Sequence, residues 1–126
     1  MSHQTTIQDI QVTDLDALAE ACRDLGLQLT RGKARGYYGA TVECDHVIRL
    51  KGPYDVAVHR QADGTYLLSA DLWQGHVERE LGPGLQKLKQ RYAYRKLLKE
   101  AKKKGFTVRT RTEQDGTIRV TLSAWR

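Results

Sequence analysis

Apolar and polar positions change their spacing several times along this chain, and each change marks an element. Thr5-Thr6-Ile7-Gln8-Asp9-Ile10-Gln11-Val12 is rich in β-branched residues and predicts a strand. Leu15, Leu18, Ala19, Cys22 and Leu25 then recur at helical spacing, which places them on one face of a helix. Thr13 is placed to cap that helix with Asp16 three residues on, and Asp14 and Asp16 suit the positive end of its dipole. Gly26 is placed to end it in a left-handed conformation.

Leu27-Gln28-Leu29 alternates as an edge strand does, and Arg31 to Gly39 breaks the pattern with glycines and cations, as a mobile loop would. Short strands are predicted at 40–43, 46–51, 54–60 and 65–72. Gly52-Pro53 supplies one turn, and Asp63-Gly64 a tight hairpin in which both residues tolerate positive φ. Gly82-Pro83-Gly84 punctuates the chain before a second helix over 85–104, which stops at Gly105. A final hairpin runs from Phe106 to Thr112 and from Thr117 to Trp125 around Asp115-Gly116. The expected fold is α+β, a mostly antiparallel sheet with two helices packed on one face, in the order β-α-β-β-β-β-α-β-β. Asp63-Gly64-Thr65 precedes Trp73 at the spacing by which Asp115-Gly116-Thr117 precedes Trp125. Duplication of a unit and two similar hairpins both account for that echo.

The chain of 126 residues fits one domain, 1–126. A domain of this size buries about two-thirds of its unfolded surface, so folding requires no disulfide or metal. No apolar run reaches the roughly 18 residues of a membrane span, and the first residues lack the basic flank and apolar stretch of a signal peptide. With only Cys22 and Cys44, a cytoplasmic protein with reduced thiols is expected. Charge is unevenly spread. Residues 1–83 carry 8 Lys/Arg and 12 Asp/Glu, a net of −4; residues 84–126 carry 13 and 3, a net of +10. Such asymmetry favours an anionic partner, DNA or RNA among them.

Several motifs carry a resemblance. Met1-Ser2-His3 with Thr5-Thr6-Ile7, Asp14-Leu15-Asp16-Ala17-Leu18 and Asp24-Leu25-Gly26 look like the start of an uncharacterised family. Its members are conserved open reading frames of some algal plastid genomes, cyanobacteria, other bacteria and some phages. The likeness resumes at Ala70-Asp71-Leu72-Trp73, is sharpest at Gln90-Arg91-Tyr92-Ala93-Tyr94, and continues through Gly105-Phe106 and Asp115-Gly116-Thr117-Ile118-Arg119 to Trp125. The resemblance implies a stand-alone domain of this length, with no established catalytic residue or cofactor. It places a plastid-encoded member in the stroma. Bacterial relatives encoded beside AAA-type ATPases imply an adaptor role, with such an ATPase as partner. The lysine-rich second helix departs from the family pattern.

That helix is the main candidate site. Lys87, Lys89, Arg91, Arg95, Lys96, Lys99, Lys102, Lys103 and Lys104 stand between 85 and 104 with Glu100 the only acid. Nine cations on one helix repel each other, and phosphates would relieve that repulsion by releasing counterions. A solvated face, with its last lysines complementing the helix dipole, is the competing explanation. Arg91 and Arg95 fall between the apolar sectors that hold Leu88, Tyr92 and Leu98, so an ion pair at the buried edge is expected for them, with Asp71 as partner.

Arg31, Lys33 and Arg35, followed by Tyr37 and Tyr38, combine phosphate-binding cations with stacking rings, a second patch suited to single-stranded nucleic acid. An ordinary exposed loop is the alternative. Cys22 belongs to an apolar helix face, and Cys44 with His46 supplies two ligands where a structural zinc needs four, so no metal is expected. His59 and His76 lack a nucleophile or carboxylate signature. Trp73 and Trp125 are expected between sheet and helix. The sequence thus predicts a non-catalytic binding protein that needs no cofactor, acting on nucleic acid or an acidic surface, or alternatively as a protein adaptor.

Overall fold

The computed structural model describes residues 4–36 and 39–124. Along them run β1 (Gln4–Val12), α1 (Leu15–Asp24), β2 (Gln28–Thr30), β3 (Ala34–Arg35), β4 (Thr41–Val42), β5 (His46–Arg49), β6 (Val56–Arg60) and β7 (Tyr66–Asp71). The short helix α2 (His76–Leu81), the long helix α3 (Gln86–Lys103), β8 (Phe106–Thr112) and β9 (Ile118–Ala124) follow. Five strands form one antiparallel sheet in the order β1-β7-β6-β5-β2, while β3–β4 and β8–β9 are separate two-stranded ribbons.

Alternation along the strands sorts the core into two layers. Ile7, Ile48, Val56, Val58, Leu68 and Ala70 point to one face, where they meet Leu18 and Cys22 of α1, Val77 and Leu81 of α2, and Leu88 and Tyr92 of α3. Val47 and Ala57 point the other way and are covered by Ala34, Val42 and Cys44 of the β3–β4 segment. Coverage from both sides explains why β5 and β6 are apolar at consecutive positions. Burial of each large aliphatic side chain contributes about 1.5–3 kcal/mol before its ordering entropy.

The α+β class and the antiparallel sheet hold, but the element order needs correction. A third helix, α2, occupies 76–81, and β3–β4 forms within and just after the expected loop. The terminal hairpin does not join the main sheet. Asp14, not Thr13, caps α1: its Oδ1 accepts from the Ala17 amide at 3.0 Å. The buried stripe of α1 is Ala17, Leu18, Ala21 and Cys22, so Ala19 lies outside it. Trp73 stays 39% exposed, because a 3-10 turn over Trp73–Gly75 carries it out of the core. Trp125 lies outside the described residues.

Both Asp-Gly hairpins use one turn. Gly64 N donates to Gln61 O at 3.0 Å and Gln61 N to Thr65 O at 2.7 Å; Gly116, Glu113 and Thr117 repeat this at 3.0 and 2.8 Å. Only the glycines take positive φ, 86° and 87°, so Asp63 and Asp115 do not. Each aspartate instead accepts from the threonine amide two residues on, at 3.0 and 2.9 Å.

Candidate polyanion interface

Helix α3 is anchored before it can present charge. Leu88 is fully buried, and the Tyr92 hydroxyl accepts from the amides of Thr13 at 2.9 Å and Asp14 at 3.2 Å, locking α3 to the start of α1. Arg91, Arg95 and Lys99 are spaced four apart and therefore form one stripe. That stripe faces the acidic side of α1. Arg95 grips Asp24 with two bonds, 2.7 and 2.6 Å, and approaches Glu20 at 3.6 Å. Lys99 donates to Asp14 Oδ2 at 2.7 Å, and Arg91 lies 3.8 Å from Asp24. Arg91 also covers the Tyr94 ring at 5.3 Å.

The bond from Arg95 holds the Asp24 carboxyl below its ordinary range, and that from Lys99 does the same for Asp14. Arg95 and Lys99 are raised in return by these partners. The repulsion among these three cations is thus relieved inside the molecule. Asp71, expected as the arginines' partner, is buried and accepts from the Trp73 amide at 2.9 Å instead.

Lys102 lies on the same side, bordering a groove with Glu20, Arg95 and Lys99, and Lys87 stands beside Arg91. At about 100° per residue, Lys89, Lys96 and Lys103 form a second stripe on the opposite flank. Lys89 and Lys96 border a cleft of about 420 Å³ floored by Ile10, Tyr92, Ala93 and Leu97. Lys87, Lys102, Lys103 and Lys104 are exposed and make no ion pair among the described residues. Beyond them, Arg109 and Arg111 of β8 and Arg119 of β9 share the exposed face of the ribbon with Thr107, Thr121 and Ser123. Arg111 and Arg119 are directly opposed, and Glu113 lies 3.9 and 3.3 Å from them. This period-two pattern of arginine and threonine was visible in the sequence and is missing from the sites expected there.

The second expected patch has a different character. Arg35 is committed to the fold: its Nε and Nη2 donate to Asp55 at 2.9 and 2.8 Å, and Nη2 reaches Leu50 O and Gly52 O at 2.9 Å each. Asp55 is fully buried and also accepts from the amides of Arg35 and Leu50 and from Arg49 Nη1. Burial pushes this carboxyl up, but these bonds outweigh it and its pKa lies below the ordinary range. From α2, Glu80 clamps the same turn through the amides of Lys51 and Gly52, 2.8 Å each. Lys33 pairs with Glu43 at 3.1 Å on the surface, and Arg31 is exposed. Tyr37 and Tyr38 lie outside the described residues. The β3–β4 segment and α3 cover opposite faces of the sheet, so the two basic segments do not form one field.

Burial pushes the Cys22 thiol up to about 12 and raises Cys44, whose Sγ donates to Gly32 O at 3.2 Å. His59 Nε2 and Ser69 Oγ are 2.9 Å apart, and Gln4 Nε2 donates to the same hydroxyl at 3.1 Å. This polar cluster lies on the sheet face away from α1. Among the described residues no three His, Cys, Asp or Glu side chains gather as a metal site would need. Nor is any described helix long and apolar enough to cross a membrane.

These features define a small α+β protein with an antiparallel sheet, a helical layer zipped by ion pairs, and a basic helix and ribbon at its carboxy-terminal end. Residues 21–121 match the family described as "Protein of unknown function (DUF1257)", and the chain belongs to that family. It is 31% identical over 129 residues to "Uncharacterized protein ycf35" of Cyanophora paradoxa, covering 100% of this chain and 99% of that protein. Proteins of the same name from Pyropia yezoensis and Guillardia theta are 32% and 34% identical, over 99% and 100% of this chain and 98% and 99% of their own length. The kinship with an uncharacterised plastid and cyanobacterial family, expected from the motifs, is borne out. No solved structure matches the chain.

Proposed function

We propose that this is a non-catalytic binding protein that engages nucleic acid or another polyanion through the far end of α3. It works without a cofactor, in the cytoplasm or, in plastid-encoded relatives, in the stroma. One observation carries the reading. Arg91, Arg95 and Lys99 are neutralised by α1, whereas Lys102, Lys103 and Lys104 stand exposed, without ion pairs among the described residues, at the base of a ribbon that presents Arg109. Lys96 continues the line of Lys103 back along the helix, while Lys87 stands near its start beside Arg91.

Neutralising phosphates releases counterions, so affinity for DNA or RNA falls steeply as salt rises. Reversing Lys102, Lys103 and Lys104 to glutamate reduces the log–log salt slope for duplex DNA by about 3, near one for each phosphate no longer neutralised, and weakens binding at every salt. Fluorescence anisotropy with DNA and RNA across a salt series measures both. Undetectable binding to either, or binding indifferent to salt, sinks the proposal.

A second reading is favoured by the cleft beside α3, where Leu97 is 36% exposed among Ile10, Tyr92 and Ala93. There the protein is an adaptor for an AAA-type ATPase, and the apolar floor receives a segment of that partner. A pull-down that recovers one stoichiometric protein after nuclease treatment, abolished by Leu97→Glu, supports this reading. Recovery of nucleic acid alone opposes it.

A further inference from the structure

Among the described residues the β8–β9 ribbon meets the body chiefly through α3. β8 packs against α3, where the hydroxyls of Tyr94 and Thr110 meet at 2.9 Å, while β9 is paired with β8 alone. Among the described residues no strand lies along the outer edge of β9, so half of the backbone N–H and C=O groups of its seven residues face outward. Such an edge is a template for another strand, and a two-stranded ribbon is marginal by itself in water. The face turned toward α3 is also incompletely covered. Ile118 and Val120 are half-buried there, but Leu122 remains 41% exposed.

The geometry points to β9 as a self-association strand: β9 of one copy pairs antiparallel with β9 of a second copy, joining the two ribbons into a four-stranded sheet. Charge selects both the edge and the register. Full overlap of β9 with itself centres on Thr121, sets Val120 against Leu122 of the second copy and Ile118 against Ala124, and extends the apolar face across the junction. Arg119, the one charge in β9, then stands opposite Ser123 of the second copy. The free edge of β8 cannot do the same. Its full overlap centres on Arg109 and sets that guanidinium against its own copy, a destabilising pair. The resulting interface is two-fold symmetric and closes, so it stops at a dimer. This inference stands apart from the polyanion reading, since it involves none of the α3 lysines.

Light scattering on the full chain after gel filtration tests it, alongside oxidative crosslinking in a Cys44→Ser background. The wild-type chain is expected to run as a dimer at micromolar concentration. Thr121→Cys is expected to crosslink efficiently, because residues opposed at the axis have Cβ atoms about 4.5–5.5 Å apart. Thr107→Cys, on the same face but on β8, is separated from its copy by both central strands and is expected not to. Thr121→Lys sets two ammonium groups against each other at an exposed position and is expected to raise the dimer dissociation constant about tenfold or more. A chain that remains monomeric at its highest soluble concentration overturns the inference. So does a dimer that crosslinks through position 107, or one that is indifferent to Thr121→Lys.

Discussion

Asp55 shows how much one buried carboxylate can organise. It is fully buried yet bonded to two arginines and two backbone amides, so the turn from Leu50 to Asp55 and the start of β3 depend on it. Removing it leaves two half-exposed guanidinium groups and the amides of Arg35 and Leu50 without their acceptor. Asp55→Ala is therefore expected to cost about 3–5 kcal/mol in urea unfolding. Arg35→Ala is expected to cost less, since Asp55 keeps Arg49 and both amides. Asp14, Asp24 and Asp55 all have folded pKa values below the ordinary one. Groups depressed on folding contribute stability that is complete above the unfolded pKa and disappears as pH falls through the folded one. Stability is accordingly expected to be level near neutrality and to decline below about pH 5, where the unfolded carboxyls begin to take up protons. Thermal melts across a pH series check this; a decline that begins near pH 6 would contradict it.

At the scale of elements, α1 and α3 are zipped by opposite charge. Arg95 and Asp24 are partly exposed, so their bidentate pair is worth about 1 kcal/mol or less after solvent screening. Arg95→Ala is expected to lower stability by that amount and to leave polyanion affinity nearly unchanged, in contrast with reversal of Lys102–Lys104. Weakened polyanion binding in Arg95→Ala would mean that the stripe against α1 takes part in binding after all. Elements were well marked in the sequence where spacing was regular. The long helix and the strands of the main sheet follow their apolar patterns. The six-residue helix α2 is not legible there, because one and a half turns show too little periodicity and its buried pair, Val77 and Leu81, supplies a single helical interval. The cap falls on Asp14 because helical geometry begins only at Leu15, which leaves Asp14, in an extended conformation, as the residue just before the helix.

Across the whole molecule, the division of charge between the two sheet faces matters more than the net value. Arg31 and Lys33 belong to the segment that covers the face opposite α3. Replacing both with glutamate is expected to change polyanion affinity by less than about threefold, a residual long-range field effect that salt screens. A decrease as large as that from Lys102–Lys104 reversal would show that both faces touch the ligand. Arg35 was no more separable from these two by sequence than Lys99 from its neighbours. In each case some cations of a run met carboxylates brought from elsewhere in the chain while their neighbours did not.

The sequence by itself determined the long helices and main strands, the α+β class, the kinship and the concentration of positive charge after Gly84, because each depends on residue type and short-range spacing. Tertiary structure alone decided which charges remain available. Asp24 and Arg95 are 71 positions apart and Asp14 and Lys99 are 85 apart, yet each pair meets at 2.7 Å or closer. Spacing along a chain carries no record of such encounters; they exist because the sheet sets α1 and α3 side by side. For the same reason, only the folded chain could reveal that β8 and β9 stand outside the main sheet, each with its outer edge unpaired by any strand among the described residues.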